Sequence, residues 1–165
     1  MVRLILVVAM ALAGPACSQD AAAPANSAQS KTTAAAATTK ACDLLTPADA
    51  QAALGREVER LPNDGGPAGL DICQYGYQGE RLADTGQVSV TVQPVDIASV
   101  KAGAQAQGYV LEPVSGIGDE AYYSREIGLY VGKGDRTAIY LLGAGGLKDA
   151  KERSIALARA TAGRL

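Results

Sequence analysis

The sequence predicts an α+β domain: one antiparallel sheet with helices packed against it, in the order helix–strands–helix–strands–helix. Three observations lead there. Helix start and stop signals recur at two separate places, each followed by a strand. Runs of alternating apolar residues stand apart from the helical segments rather than alternating with them one by one, which separates α+β from parallel α/β folds. Two internal cysteines, Cys42 and Cys73, fit a small domain stapled by a disulfide in an oxidising compartment.

The elements follow in chain order. Thr46-Pro47-Ala48-Asp49 combines an N-cap, a proline at the first helical position and an acid three residues after the cap, and so starts a helix. That helix runs to about Leu54, and Gly55 stops it. A short strand is expected over Glu57–Leu61, and Pro62 to Pro67 reads as a loop. Strands follow over Asp71–Tyr77 and, with Val88, Val90 and Val92 in alternation, over Gln87–Val95. The second half repeats the order. Asp96 caps a helix carrying Ile97, Val100 and Ala104 on one face, Gly108 ends it, and Tyr109-Val110 opens a strand. Glu120–Ser124, Gly128–Val131 and Thr137–Leu142 complete the strands, with Gly132-Lys133-Gly134-Asp135 as a hairpin turn. A closing helix from Leu147 to about Ala162 groups Leu147, Ala150, Leu157, Ala158 and Thr161 on one side.

The segment before the domain reads as an address. Arg3 precedes an apolar run from Leu4 to Ala13, shorter than the roughly 20 residues a membrane span needs and of the length of a signal core. The run ends at Cys17, where polar Ser18-Gln19-Asp20 begins. A cysteine at that junction is the acceptor for a diacylglyceryl group, and cleavage before it frees an amine for a further acyl chain such as palmitate. Residues 1–16 are thus expected as a lipoprotein signal peptide and Cys17 as the lipidation site. Two or more acyl chains make a stable membrane anchor. Gly14 stands where a large aliphatic residue is usual, and the competing reading is secretory cleavage after Ala13. Ser18 rather than aspartate points to the outer membrane facing the periplasm where two membranes exist, and otherwise to the outer face of the plasma membrane. Residues 18–40, with no large aliphatic or aromatic side chain, bury too little to offset the entropy of ordering and are expected as a disordered tether. The domain occupies 41–165.

Composition narrows function. Among 165 residues there is no His, Phe or Trp, and seven Tyr are the only aromatics. Without His, the commonest general base and transition-metal ligand are missing, so no metal, no cofactor and no enzymatic activity are expected. The net charge of −2 gives no electrostatic footprint for nucleic acid. With Cys17 acylated, Cys42 and Cys73 are most simply bonded to each other. The alternative, a metal or redox pair, has neither a C-x-x-C motif nor a histidine behind it. A bond closing a loop of about 32 residues stabilises a fold by roughly 3.5 kcal/mol on chain-entropy grounds.

Three stretches together resemble a family: Cys42-Asp43-Leu44-Leu45-Thr46 leading into Ala52-Ala53-Leu54-Gly55; Cys73-Gln74-Tyr75 before a valine-rich strand; and Gly116-Ile117-Gly118-Asp119-Glu120-Ala121-Tyr122, followed by Leu129-Tyr130-Val131 and a Gly-Asp turn. They are similar to a domain of unknown function in small bacterial, mainly actinobacterial, envelope lipoproteins, with Tyr75 and Tyr123 where related sequences often carry Trp. The resemblance implies a PsbP-like α–β sandwich and a Cys42–Cys73 bond, and it implies no activity.

Four sites merit weighing. Asp119 and Glu120 follow glycines and offer two oxygen ligands, too few for calcium without a surrounding loop of further oxygens, so a tight turn feeding a strand is the simpler reading. Gly143-Ala144-Gly145-Gly146 precedes a helix but lacks P-loop spacing. The serines have no histidine base. The tyrosines remain: Tyr75 and Tyr77 share one strand face, whereas Tyr122 and Tyr123 point oppositely. A surface containing Tyr75, Tyr77, Tyr122 or Tyr123 is the expected contact for an apolar ligand or an envelope protein. The expected function is an envelope-anchored binding or structural module, the alternative a hydrolase using paired carboxylates such as Asp119 and Glu120.

Overall fold

Among the described residues, seven strands form one open antiparallel sheet. In the computed structural model the described residues are 39–62, 70–145 and 147–165, all within one compact unit. The signal segment, Cys17 and the tether as far as residue 38 lie outside them, as does most of the expected Pro62–Pro67 loop. The helices are α1 (Ala41–Leu44), α2 (Pro47–Leu54), α3 (Ile97–Ala106) and α4 (Ala150–Thr161). The strands are β1 (Glu59–Arg60), β2 (Asp71–Tyr77), β3 (Gly86–Gln93), β4 (Glu112–Pro113), β5 (Glu120–Ser124), β6 (Gly128–Lys133) and β7 (Arg136–Ala144). Their order across the sheet is β1-β2-β3-β7-β6-β5-β4. The fold class is therefore α+β, with long strands in the middle and two-residue strands at both edges. Short edge strands leave little unpaired backbone for another chain to extend.

The local signals act as their chemistry dictates. At α2 the Thr46 hydroxyl accepts from Asp49 N–H at 3.2 Å while the Asp49 carboxylate takes the Thr46 N–H at 3.1 Å, closing a capping box. Asp96 caps α3 by accepting from Ser99 N–H at 2.9 Å. The β6–β7 hairpin turns on Gly134 and Asp135 alone, since Lys133 and Arg136 are already paired. The strand expected at Tyr109-Val110 forms later, at Glu112–Pro113, and the closing helix starts at Ala150 rather than Leu147. Three elements of the described residues carry no sequence signal: α1 and the 3₁₀ turns Leu82–Asp84 and Ala162–Arg164.

Strand register divides the side chains between two faces. On the first, Cys73 and Tyr75 of β2, Val88, Val90 and Val92 of β3, Ala138 and Tyr140 of β7, Leu129 and Val131 of β6, and Ala121 of β5 form one buried cluster. It packs under Ala41 and Leu44 of α1, Ala50, Ala53 and Leu54 of α2, and Leu157 and Ala158 of α4. Tyr140, fully buried, satisfies its hydroxyl with Thr161 at 2.9 Å. The Cys42–Cys73 disulfide joins α1 to β2 across 31 residues. The second face carries a smaller cluster, Ile97 of α3 with Tyr122 and Tyr130. There Gly132 lets the helix approach, because a Cβ at that position lies only 2.6 Å from Ile97.

One polar network closes the first layer. Arg164, just beyond α4, donates to the Leu44 carbonyl at 2.7 Å and to both Asp49 oxygens, at 2.8 and 3.2 Å. That guanidinium, with the Thr46 contacts, holds the Asp49 carboxyl at about 2, down from 3.8.

Candidate functional site

The four tyrosines named from the sequence do not converge. Tyr75 lies in the first-face core, only 6% exposed. Tyr77, on the same face, is half-buried and rests its ring under the Arg56 guanidinium, 4.3 Å from the centroid. Tyr122 lies on the opposite face at 7% exposure, accepts from Lys101 and donates to Glu120. Tyr123, half-buried on the first face, lies 5.2 Å beneath Lys151, which pairs with Glu112. Alternation sends Tyr122 and Tyr123 to opposite sides, where Tyr122 is buried and Tyr123 half-buried. These pairings raise both lysines, Lys101 chiefly through its bond to Tyr122 and Lys151 through Glu112, so neither is poised as a base.

Asp119 and Glu120 are directed to different partners. Asp119 accepts the Gly134 N–H at 2.8 Å while its own N–H donates to the Gly132 carbonyl at 2.8 Å, so it ties the loop before β5 to the β6–β7 turn. Glu120 turns to Tyr122 and Lys101. Gly118, at φ 59°, completes this tight passage, since a Cβ on it lies 2.4 Å from the Gly132 carbonyl oxygen. Among the described residues no group of three or more carboxylate, cysteine or histidine side chains is gathered for a metal ion. Gly143 and Ala144 finish β7, and α4 begins only at Ala150, without a side-chain cap.

The surface carries several open grooves. One of about 780 Å³ runs along α2 and β1 past Glu57, Glu59 and Arg60. One of about 520 Å³ lies over the Gly116–Tyr122 loop with Asp119 and Glu120. One of about 160 Å³ separates α2 from α4 beside Asp49 and Arg153. The fourth, about 390 Å³, opens where α3 stops covering the second face, and it differs from these three because no charged side chain lines it. Val100, Gly103 and Ala104 of α3 form one wall; Tyr130 of β6, Ile139 of β7 and the loop residues Val95, Tyr109 and Ile127 form the rest, with Gln93, Ser99 and Gln107 as polar members. Thr137 pins the loop wall by donating to the Val95 carbonyl at 2.8 Å. Aliphatic and aromatic side chains and a few neutral hydrogen-bonding groups share this open, uncharged groove.

Two phenols, Tyr109 and Tyr130, add to the polar lining of the groove. Tyr130 is 7% exposed as a residue, but its hydroxyl, like that of Tyr109, has no hydrogen-bond partner among the described residues and reaches solvent. Burial, and secondarily the adjacent Tyr109, hold the Tyr130 hydroxyl above the ordinary tyrosine range, so it stays neutral and able to donate. Neither tyrosine was singled out from the sequence. No short-window signal marks them, because the residues of this groove come from separate segments that only the tertiary fold brings together. No protein-family model matches this chain, and no curated protein or solved structure is significantly similar to it.

Proposed function

We propose that this chain is an envelope lipoprotein, anchored through Cys17, whose tethered domain is a non-catalytic binding module that takes an apolar ligand in the α3 groove. The observation that supports this reading is the groove itself: it is lined by no charged side chain and combines aliphatic walls with neutral hydrogen-bonding groups. The Cys42–Cys73 disulfide supports an oxidising, extracytoplasmic location. The signal-like segment and the polar tether support the anchor. Membership of the small actinobacterial lipoprotein family and a PsbP-like sandwich belong to the same proposal. Their support is the spacing of Cys42, Cys73 and Gly116–Tyr122, together with helices on both faces of one sheet. The partners proposed are the membrane, through the lipid, and one apolar ligand.

Mass spectrometry of the protein extracted from the producing cell's envelope tests the reading. Under denaturing conditions an acylated amino terminus at Cys17 is expected, and under native conditions an additional small-molecule mass. An unmodified terminus at Gly14 overturns the anchor.

A further inference from the structure

We infer that Cys42 is the sulfur through which the Cys42–Cys73 staple is installed: a disulfide-bearing oxidant joins Cys42 first, and Cys73 then displaces it. The bond itself carries this assignment, whatever the domain binds.

The two sulfurs sit in unlike places. Cys73, inside β2, is 1% exposed and belongs to the first-face core. Cys42, on the single turn α1, is only half-buried and packs at the margin of that core. A reagent must touch the sulfur it reacts with, so it reaches Cys42 and not Cys73.

Their polar neighbours differ in the same sense. Arg60 of β1 stands opposite Tyr75 in the ladder, which places its side chain on the first face. From there Arg60 Nη2 donates to Cys42 Sγ at 3.2 Å. A guanidinium beside a sulfur favours the thiolate, the form that attacks disulfides. The nearby acids are engaged by backbone: Asp43 accepts the Lys40 N–H at 3.2 Å, and Asp71 of β2 accepts the Ala41 N–H at 2.8 Å. Glu59, one residue before Arg60 on β1, stands opposite Gly76 and so points to the other face. Cys73 Sγ lies instead 3.8 Å from the Leu45 carbonyl oxygen, an acceptor that suits a thiol and disfavours a thiolate.

The Cys42 thiolate attacks one sulfur of the donor disulfide. A Cys42–donor bond forms, the donor S–S bond breaks, and the other donor sulfur leaves as a thiolate. Cys73 then gives up its proton and attacks Cys42 Sγ; the mixed bond breaks and the second donor sulfur leaves. Two protein thiols have lost two electrons, and the donor disulfide has become two thiols carrying the two protons. In the reverse direction a reducing thiolate also enters at Cys42, and it must expel Cys73 as a thiolate into the core. A leaving group of high pKa departs slowly, so the staple is easier to insert than to remove.

The test uses the full chain carrying Cys17→Ser, so that Cys42 and Cys73 are its only cysteines. After reduction, a short pulse of iodoacetamide followed by peptide mass spectrometry gives the labelling rate of each sulfur. Cys42 is expected to react at least about tenfold faster than Cys73. With oxidised glutathione as donor, the Cys73→Ser variant is expected to accumulate a glutathione adduct on Cys42, and the Cys42→Ser variant little adduct on Cys73. Arg60→Gln is expected to slow Cys42 about threefold near neutral pH and to move the midpoint of its pH–rate profile upward, with Arg60→Lys restoring most of both. The reduced parent chain supplies the same comparison of sulfurs without a substitution in the core, should either serine variant fail to fold. Labelling of Cys73 as fast as Cys42 overturns the assignment, and so does a reduced chain that has lost its fold, because the order depends on the folded surroundings. An Arg60→Gln profile identical to that of the parent overturns the part given to Arg60.

Discussion

The two faces of the sheet are built to different standards. The first is sealed by three helices, a disulfide and the Arg164–Asp49 network, and every large side chain in it has a neighbour. The second is covered by α3 over one part only, and Leu141 stays 42% exposed and Val95 37% exposed where cover ends. Stability therefore resides in one layer, which leaves the other free to be shaped for contact. Folded proteins place binding surfaces on such lightly packed regions and hold them with a rigid scaffold.

Large-to-small substitutions probe this contrast most strongly. Leu129→Ala, at a fully buried first-face position, is expected to cost about 3–4 kcal/mol, whereas Ile139→Ala, half-buried on the second face, costs about 1–1.5 kcal/mol. Urea unfolding measures both, and equal losses break the comparison. The disulfide comes next. Replacing Cys42 and Cys73 together by alanine removes the cross-link on the sealed side and is expected to lower stability by about 3 kcal/mol, read from the same transition.

Acid sharpens the comparison further. Asp49 is held at about 2 in the folded state against an ordinary 3.8, chiefly by the Arg164 hydrogen bond. A lowered carboxylate value stabilises the fold fully above the unfolded-state value, and that contribution disappears as pH falls through the folded-state value. The shift corresponds to about 2 kcal/mol at most, present above roughly pH 4 and gone near pH 2. Asp49→Asn is expected to flatten the acid limb of stability between those pH values, and an unchanged limb contradicts the role given to the Arg164 pair. The smallest effect belongs to the second face. Gly103→Ala is expected to raise stability by up to about 1 kcal/mol, because the fold does not use that glycine. A loss of stability on thermal unfolding means that the residue serves packing instead.

Much of the first face was legible in the sequence. Val88, Val90 and Val92 alternate, Thr46-Pro47 and Asp96 cap their helices, and Asp71–Tyr77 and Glu120–Ser124 form strands with the expected ends. These features are local, so they can be read in a short window. The shortest elements were less readable. The helix α1 is a single turn held by the burial of its own Ala41 and Leu44 and by the Cys42 bond, and the late start of β4 depends on pairing with Tyr122 and Tyr123 rather than on its own residues. The candidate groove was not legible at all. Tyr109, Tyr130, Val95 and Ile139 belong to separate segments, and only the sheet order β3-β7-β6 with α3 laid across it brings them together. Alternation placed Tyr122 and Tyr123 on opposite sides, but it carried no information on whether a helix covered each side.

The most direct measurement is a two-dimensional amide NMR titration of the full chain carrying Cys17→Ser with N-phenyl-1-naphthylamine. Saturating shifts are predicted at Val95, Val100, Gly103, Ile127, Tyr130 and Ile139, while Leu54, Val90 and Leu157 on the sealed side stay in place. The largest shifts falling along Glu57, Arg60 and Tyr77, or spread evenly over both faces, would contradict the assignment of binding to the partly covered face.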